Sequence, residues 1–287
     1  TVDVNKTLDS RPIADIGRGL QGAVAGVNIT IPTGEVGSDP LIKIRGQVGS
    51  ISGNNTPLIL LDNVEIPSIQ MVNPNDVQSI SVLKDAASSS IYGSKAAFGV
   101  ILITTKSGAQ SDKFEISYSN NFSWQDPAKK IEIGGIEALQ YTLDAQTNRR
   151  EPMPAGGFWR ISPESLEKAI EWQNLYGGKV KWNDPVVYGR DWFYDGKDKY
   201  GYRLYDGAKA MIKNWTPTMT HNLSVNGKSG KTSYNIGLGY LDQSGMSKTA
   251  KKDDFKRYNA SVSVTSEINK YITVRASSIY SDRNKRY

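Results

Sequence analysis

The chain has 287 residues, with 35 Lys and Arg against 29 Asp and Glu, no cysteine and a single histidine, His221. This composition excludes disulfides, thiol zinc sites and iron–sulfur clusters within the chain, and one imidazole cannot form a histidine cluster for a metal, so we predict no metal and no cofactor. The small basic excess contains no long run of one sign, so we predict no nucleic-acid partner.

Residues 1–108 mix short helical and strand patterns, which predicts a compact α+β domain. A helical pattern covers residues 14–24, and strands are expected at 27–31, 41–45 and 58–62. Asn73 can cap a turn that Pro74 begins. The Gly-rich stretch 45–57 is expected to form an exposed loop.

The end of this half, "SISVLKDAASSSIYGSKAAFGVILITTKSG" at residues 79–108, predicts a small βαβ unit. Ile80 and Val82 belong to its first strand and residues 100–105 to its second. Between them Asp85 can cap an Ala/Ser-rich helix over 86–92, which Gly93 can end. The connection is near the minimum length that joins two parallel strands.

From Lys113 onward polar and apolar residues alternate, which predicts five two-faced strands at about 113–124, 219–226, 232–241, 257–268 and 272–283. Long and short connections follow each other in turn, and Tyr and Trp lie near the strand ends, as in outer-membrane barrels. The positions expected to face lipid are Leu223, Val225, Ile236, Leu238, Val262, Val264 and Val274. The positions expected to face the lumen are Glu115, Asn235, Glu267 and Arg275.

An aromatic-rich soluble β-sandwich would show the same alternation. Five strands cannot enclose a domain of this size, because barrels that hold a plug use ~22 strands. We therefore expect the chain to be the N-terminal part of a longer protein.

Three stretches carry a resemblance to a known family: "LQGAVAGVNIT" from Leu20, "IKIRGQVGSISGNNTPLILLDNVEI" from Ile42, and "VNPNDVQSISVLKDAASSSIYGSKAAFGVILITTKSG" from Val72. They resemble the SusC/RagA family of TonB-dependent outer-membrane transporters. The resemblance implies an α+β plug domain at 1–108 and antiparallel transmembrane β-barrel strands at 109–287. A long extracellular loop is implied at about 125–217.

The resemblance also implies a function: import of a nutrient, here predicted to be an oligosaccharide, across the outer membrane of a Gram-negative bacterium. The implied partners are outer-membrane lipid, a SusD-like surface lipoprotein that acts as a lid, and TonB, whose recognition box is not expected in these residues. Import of peptides by the same class and a secreted glycan-binding β-sandwich remain alternatives. A small α+β enzyme is the third hypothesis, and we predict that the protein is not an enzyme.

Candidate ligand-binding residues lie in two loops. Asn54 and Asn55 belong to a Gly/Ser/Asn loop at 47–55, where amides can bind sugar hydroxyls or peptide groups. Asp191, Trp192 and Tyr194 belong to an aromatic–acidic segment at 186–207, which could stack on sugars or be a self-packed loop or a lid interface. The preceding residues predict a helix from Ser162 to about Tyr176.

Two cations, Arg45 and Lys84, are the candidates for ion pairs between plug and barrel. Because a buried cation needs a carboxylate partner, we expect those partners in further strands of the barrel.

Other motifs predict chemistry only weakly. "GRGLQG" at residues 17–22 has dinucleotide-binding spacing but lies inside a helical pattern. Asp62, Asn63 and Glu65 fit a strand end better than an acid–base pair. Residues 88–90 with Lys95 fit a packing helix better than a nucleophile.

Overall fold

The computed structural model describes residues 2–3, 16–22, 24–31, 33–44, 56–108, 114–127, 135–148, 162–181, 183–197 and 199–287. These residues form two compact units. The main unit comprises Thr1–Asp126, Asn214–Met246 and Ala250–Tyr287. The second, which we call the helix–hairpin unit, comprises Pro127–Lys213 and Ser247–Thr249.

The first part of the main unit, called the plug below, contains short elements only. Its strands are β1 (Val2–Asp3), β2 (Val27–Thr30), β3 (Leu41–Ile44), β4 (Leu58–Leu61), β5 (Val64–Glu65), β6 (Val77–Leu83) and β7 (Val100–Thr105). Its helices are α1 (Ile16–Leu20) and α2 (Ala86–Ser89), with 3₁₀ turns at Ile69–Met71, Pro74–Asp76 and Ser90–Ala96. The predicted strands are confirmed, and so is the turn at Pro74, where the Asn73 side chain accepts a hydrogen bond from the Asn75 N–H.

The prediction of a parallel βαβ unit is wrong. The plug sheet has the order β1-β6-β7-β4-β5, and β6 and β7 pair antiparallel. Leu83, at the end of β6, lies opposite Val100, at the start of β7. The connection therefore begins and ends at the same end of the sheet. The parallel neighbour of β7 is β4.

The predicted helix over 86–92 is also shorter than expected. The α-helix ends at Ser89 and continues as a 3₁₀ segment that is broken at Gly93, where φ is 71°. A side chain would be strained in this left-handed conformation, so glycine permits the break.

Burial of apolar side chains holds the plug together. The main buried cluster joins α1, the β2–β3 hairpin and the plug sheet, and it consists of Ile16, Leu20, Ile29, Ile42, Ile44, Leu61, Ile69, Val72, Val77, Ile80, Ile101 and Ile103. A smaller cluster of Leu60, Ala96 and Val100 lies under the α2 connection. The plug therefore has a core of its own.

Five long antiparallel strands form the second part of the main unit, called the wall sheet below. Its strands are β8 (Glu115–Gln125), β11 (Thr216–Ser229), β12 (Thr232–Ser244), β13 (Asp254–Asn269) and β14 (Ile272–Arg286), in the order β14-β13-β12-β11-β8. All five predicted strands are present. The tight turns after β11 and β13 and the longer connections at the opposite end match the predicted alternation.

The helix–hairpin unit contains α3 (Ile136–Asn148), α4 (Pro163–Tyr176), α5 (Gly207–Met211) and a hairpin of β9 (Trp192–Tyr194) with β10 (Lys199–Gly201). The predicted helix after Ser162 is confirmed as α4. The Ser162 hydroxyl accepts a hydrogen bond from the Ser165 N–H, and Pro163 occupies the first turn.

Candidate functional site

The inward, polar face of the wall sheet contacts plug residues 68–76. The Asn259 side-chain amide donates to the carbonyl oxygen of Met71 over 2.7 Å, and the Arg257 guanidinium donates to the carbonyl oxygen of Gln70 over 3.0 Å. Asn259 and Arg257 are both buried. The wall sheet thus supplies hydrogen-bond donors to backbone carbonyls that plug secondary structure leaves available.

Two side-chain contacts extend this interface. The Asn73 amide donates to Asn222 Oδ1 over 2.9 Å, and the Arg283 guanidinium donates to Ser68 Oγ over 2.8 Å. The 3₁₀ turns at residues 69–71 and 74–76 hold these groups at the plug surface. Residues 68–76 are therefore a docking segment held by several independent polar contacts.

Two ion pairs join the plug to the wall sheet within the described residues. Arg275 of β14 lies 3.7 Å from Asp62 of the plug, and Lys285 lies 2.8 Å from Glu35. The hydrogen bond and charge of Lys285 lower the pKa of the Glu35 carboxyl. The cations stand on the strands and the carboxylates on the plug.

Asp76 is a buried carboxylate at the centre of this interface. Burial raises the pKa of Asp76, and the nearby Ser261 hydroxyl and the positive charges of Lys106 and Arg257 only partly offset that effect. The Lys106 N–H also donates to the Asp76 carbonyl oxygen over 2.8 Å. Asp76 therefore joins the end of the docking segment to Lys106, the residue that directly follows β7.

Two glycines of β12 make room for the docking segment. A Cβ atom at Gly237 would lie 2.5 Å from Asp76 Oδ1, and one at Gly239 would lie 2.5 Å from Asn73 Nδ2. Gly239 stands between Asn222 and Asn259 in one row of the wall sheet. The two glycines thus allow plug side chains to approach the strand backbone closely.

A small apolar cluster anchors a second part of the plug. Val36 is buried against Leu241 and Phe255 of the wall sheet. The backbone at Gly37 has φ 68°, and the Phe255 ring occupies the space that a side chain there would need. Polar and apolar contacts thus hold the plug to the wall sheet at separate places.

The opposite face of the wall sheet is apolar and exposed. Leu223, Ile236, Leu238, Val262 and Val274 lie there with 37–52% of their surface exposed. Asn235, on the other face, is buried and donates to the Lys106 carbonyl oxygen over 3.4 Å. The predicted separation of the two faces is confirmed for these residues and for Arg275, which contacts the plug.

Aromatic side chains and His221 form a cluster on the exposed face. The Tyr118 hydroxyl lies 2.8 Å from His221 Nδ1, and the His221 ring stacks on Tyr240 with centroids 6.3 Å apart. Tyr240 in turn contacts Tyr258. His221, the one histidine of the chain, is therefore part of an aromatic cluster.

The pairing of Lys84 with the barrel stays a prediction, because its carboxylate partner is expected in further strands. The Lys84 ammonium donates to the carbonyl oxygen of Ala25, which is part of the plug. Lys84 follows β6 and is exposed, so its side chain reaches the neighbouring plug loop and not the wall sheet. Arg45, Asn54 and Asn55 lie outside the described residues, and their roles stay predictions.

The structure places the three predicted residues of the aromatic–acidic segment differently. The Asp191 side chain is fully buried, and its carboxylate accepts from Trp172 Nε1, the Val187 N–H and the Arg190 guanidinium at 2.7–2.8 Å. Arg203 lies 3.6 Å away with 1% of its side chain exposed. Burial alone would raise the pKa of Asp191, but these hydrogen bonds outweigh it and hold the pKa well below its usual range.

The interpretation of Asp191 as a direct ligand is therefore corrected, because protein donors already surround its carboxylate. Trp192 is half-buried and packs edge-on against Tyr188, while Tyr194 is 44% exposed and donates to the Gly196 carbonyl oxygen. Both rings border the surface of the helix–hairpin unit. Their role in ligand binding stays a prediction.

Sequence reasoning missed the residues of the docking interface. Asn73, Asp76, Arg257, Asn259 and Arg283 were not selected as candidates. The available signal was weak: polar residues at inward positions of the strands, which alternation alone cannot distinguish from positions that face water.

The described ranges contain no helix that is long and apolar enough to cross a membrane. In those same ranges, no three His, Asp or Glu side chains are grouped so that they could hold a metal ion.

Comparison with known proteins gives consistent matches. Residues 1–100 match the model of the TonB-dependent Receptor Plug Domain. TonB-dependent receptor P26 of Formosa agariphila is 30% identical over 250 residues, and TonB-dependent receptor SusC of Bacteroides thetaiotaomicron is 27% identical over 254 residues. Each of these alignments covers 85% of this chain, and they cover 21% and 20% of the relatives. The chain thus spans about a fifth of their length.

Solved structures agree with these matches. The RagAB peptide importer in its 'closed-closed' state has a chain that superposes with a TM-score of 0.71 at 29% identity, covering 99% of this chain and 30% of that chain. The siderophore receptor PirA of Pseudomonas aeruginosa, at 15% identity and a TM-score of 0.52, shares the fold.

A plug docked on the polar face of antiparallel strands, with an apolar face opposite, defines the plug-and-barrel class of TonB-dependent receptors. Within that class the chain is SusC-like, because its plug match, its identity with SusC and its superposition on a RagAB chain agree. The predicted location in the outer membrane of a Gram-negative bacterium is confirmed, and the β-sandwich alternative is excluded by the shared fold. The matched proteins are named as receptors and importers, which confirms the prediction that the protein is not an enzyme.

Proposed function

We propose that the protein imports a nutrient, an oligosaccharide, across the outer membrane in a TonB-dependent manner. The observation that carries this proposal is the docked plug. Its segment 68–76 is fixed to the polar face of the wall sheet by hydrogen bonds from Arg257, Asn259 and Arg283. A barrel closed by such a plug passes large solutes only when energy rearranges the plug.

The proposed partners are TonB, on the periplasmic side, and a SusD-like lipoprotein on the outer surface. Similarity to SusC and to a chain of RagAB supports both. The helix–hairpin unit follows β8 and precedes β11, at the end of the wall sheet with the longer connections. We assign this end to the outside, because extracellular loops of bacterial barrels are longer than periplasmic turns.

Peptides are the second candidate substrate. The RagAB structures are titled as those of a peptide importer, and the identity with this chain is 28–29% over 99% of its length. The aromatic surface of the helix–hairpin unit supports the oligosaccharide instead, because flat rings stack on sugar faces.

The test compares the native bacterium with strains that lack this transporter or TonB. The three strains grow on a medium that contains mixed plant and host oligosaccharides and on one that contains mixed peptides, and depletion of each component is measured by mass spectrometry. We expect the wild-type strain alone to deplete an oligosaccharide fraction. Loss of peptide uptake in both mutants would favour the second candidate, and equal depletion by all three strains would contradict import.

A further inference from the structure

The helix–hairpin unit contains a pocket of about 340 Å³ between α4 and the β9–β10 hairpin. Six of its lining residues carry the argument: Glu164, Lys168, Glu171, Tyr176, Phe193 and Tyr202. Ligand pockets commonly measure ~300–1,000 Å³, so the space suits one or two small rings. None of the three predicted ligand residues of this segment lines it.

Aromatic rings form the apolar part of the pocket. Phe193 is 39% exposed, Tyr176 and Tyr202 are half-buried, and the buried Trp172 lies behind them against Tyr176 with ring centroids 6.0 Å apart. Phe193 also stacks on Tyr188, with an angle of 24° between the ring planes. The ring of Phe193 is therefore supported from behind and presents a flat apolar face.

Charged groups of both signs surround these rings. Glu164 and Glu171 supply carboxylates from α4, while Lys168, which lies 3.6 Å from Glu171, and Arg190 supply cations. Because Arg190 is already paired with the buried Asp191, the charged groups left for a ligand are two carboxylates and one ammonium. Carboxylates accept hydrogen bonds from hydroxyls, and an ammonium donates to them. A neutral ligand with an apolar face and many hydroxyls satisfies both the rings and the charged groups.

One buried residue fixes the walls of the pocket in place. Asp191 directly precedes β9. Its carboxylate accepts from Trp172 Nε1 of α4 over 2.8 Å and from the neighbouring Arg190 over 2.7 Å. Its carbonyl oxygen accepts from the Tyr202 N–H over 2.8 Å. Because Asp191 binds both α4 and the residue that follows β10, a ligand does not have to order these walls, which favours binding.

We propose that this pocket is a saccharide subsite in which a sugar ring stacks on Phe193 while Glu164, Glu171 and Lys168 bind its hydroxyls. Asp191 acts as a positioning residue that contacts no sugar. The inference rests on the proposed import of an oligosaccharide and assigns it a specific binding place in the helix–hairpin unit.

The test uses the full-length transporter purified from its native membrane. Binding is first screened on an array of α- and β-linked hexose, pentose and amino-sugar oligomers, and affinity for the best binder is then measured by calorimetry. We expect Phe193→Ala and Glu164→Gln each to weaken binding about tenfold, the scale of a lost charged hydrogen bond or stacking contact. Tyr141→Ala, an exposed ring on α3 outside the pocket, is the matched control and should bind like wild type.

The possible outcomes distinguish failure of the proposed subsite from failure of the proposed transport function. Unchanged affinity of both pocket variants, with normal thermal stability, overturns the subsite and leaves import intact. Binding of no oligosaccharide on the array, together with TonB-dependent uptake of peptides, overturns the saccharide assignment but not transport. Uptake that does not depend on TonB overturns the proposed function itself.

Discussion

Gly237 of β12 lies directly against Asp76 of the plug, so that a Cβ atom at Gly237 would come within 2.5 Å of Asp76 Oδ1. The neighbouring inward position, Gly239, has the same relation to Asn73. A strand interior normally disfavours glycine, because it gives no side chain for packing and costs conformational entropy. The space that both glycines leave is filled by the plug, which indicates that docking requires them.

Gly237→Ala should loosen the plug without preventing barrel formation. The added methyl group must displace a buried carboxylate, and overpacking of this kind costs about 1–3 kcal/mol. We expect faster cleavage of the plug by added protease in outer-membrane preparations and greater sensitivity of the cells to vancomycin. Gly34→Ala is the control, since nothing lies within 4 Å of a Cβ there. Equal behaviour of the two variants would contradict the role of Gly237.

Docking of the plug should also depend on pH through Asp76. Because burial raises its pKa above 3.8, the docked state favours the uncharged form. The contribution of Asp76 to the stability of the docked plug is therefore most favourable in acid. It decreases as the pH rises from 3.8 through the raised pKa, and it is constant above that pKa. Asp76→Asn should remove this dependence.

The measurement is protease protection of the plug in wild type and Asp76→Asn from a pH of about 3, below the ordinary carboxyl pKa, to about 8. Glu35 acts in the opposite sense, because its lowered pKa makes its pair with Lys285 favourable at higher pH and lost in acid. The difference between the two proteins isolates Asp76, and parallel pH profiles would contradict the prediction.

Asp191→Asn should unfold the helix–hairpin unit locally. The substitution leaves the Arg203 guanidinium, with 1% of its side chain exposed, without its carboxylate partner. Breaking a buried pair by removal of one partner costs about 3–5 kcal/mol. We expect new proteolytic cleavage sites between residues 127 and 213, found by mass spectrometry. Glu167→Gln, on the exposed side of α4, should leave the cleavage pattern unchanged.

The five strands of the wall sheet and the faces of their side chains could be predicted from sequence. A strand has a side-chain period of two, and a change of register by one residue would turn Val262 inward and Ser263 outward. Such alternation is visible locally, so Leu223, Ile236 and Val274 were assigned to the correct face. The contacts of the predicted site residues depend also on which distant segments pack against them, and alternation along a strand does not show this.

Long-range pairing could not be predicted in the same way. The direction of β6 and β7 depends on which neighbour each strand finds in the folded sheet, and a short connection is compatible with either arrangement. Arg275 contacts Thr105, 170 positions earlier, and no local pattern links the two. Likewise, no local pattern shows that the Lys84 side chain, which follows β6, reaches the Ala25 carbonyl oxygen.

Arg275→Ala should therefore weaken plug docking more than Lys84→Ala. Arg275 contacts both Asp62 and Thr105 across the interface, whereas Lys84 contacts a carbonyl oxygen within the plug. The Arg275 side chain is partly exposed, so we expect a modest effect of up to about 1 kcal/mol. Hydrogen exchange of residues 100–105 would report it, and a larger effect of Lys84→Ala would instead favour the predicted pairing of Lys84 with the barrel.

The apolar face of the wall sheet should meet lipid, and charge substitutions can test this directly. Val262 is exposed on that face, while Ser277 lies on the inward face in the same part of the sheet and is exposed as well. An arginine at the bilayer midplane on the lipid face of a barrel costs about 2–4 kcal/mol, whereas one that faces the lumen can remain hydrated. Val262→Arg should therefore reduce the amount of assembled protein in the outer membrane, and Ser277→Arg should not.

Ser263, which also faces inward, is a poorer control than Ser277, because it is buried and a longer side chain there must find room. Assembly is measured by the heat-dependent shift in gel mobility of folded barrels, and equal assembly of the Val262→Arg and Ser277→Arg proteins would argue against lipid contact at this face.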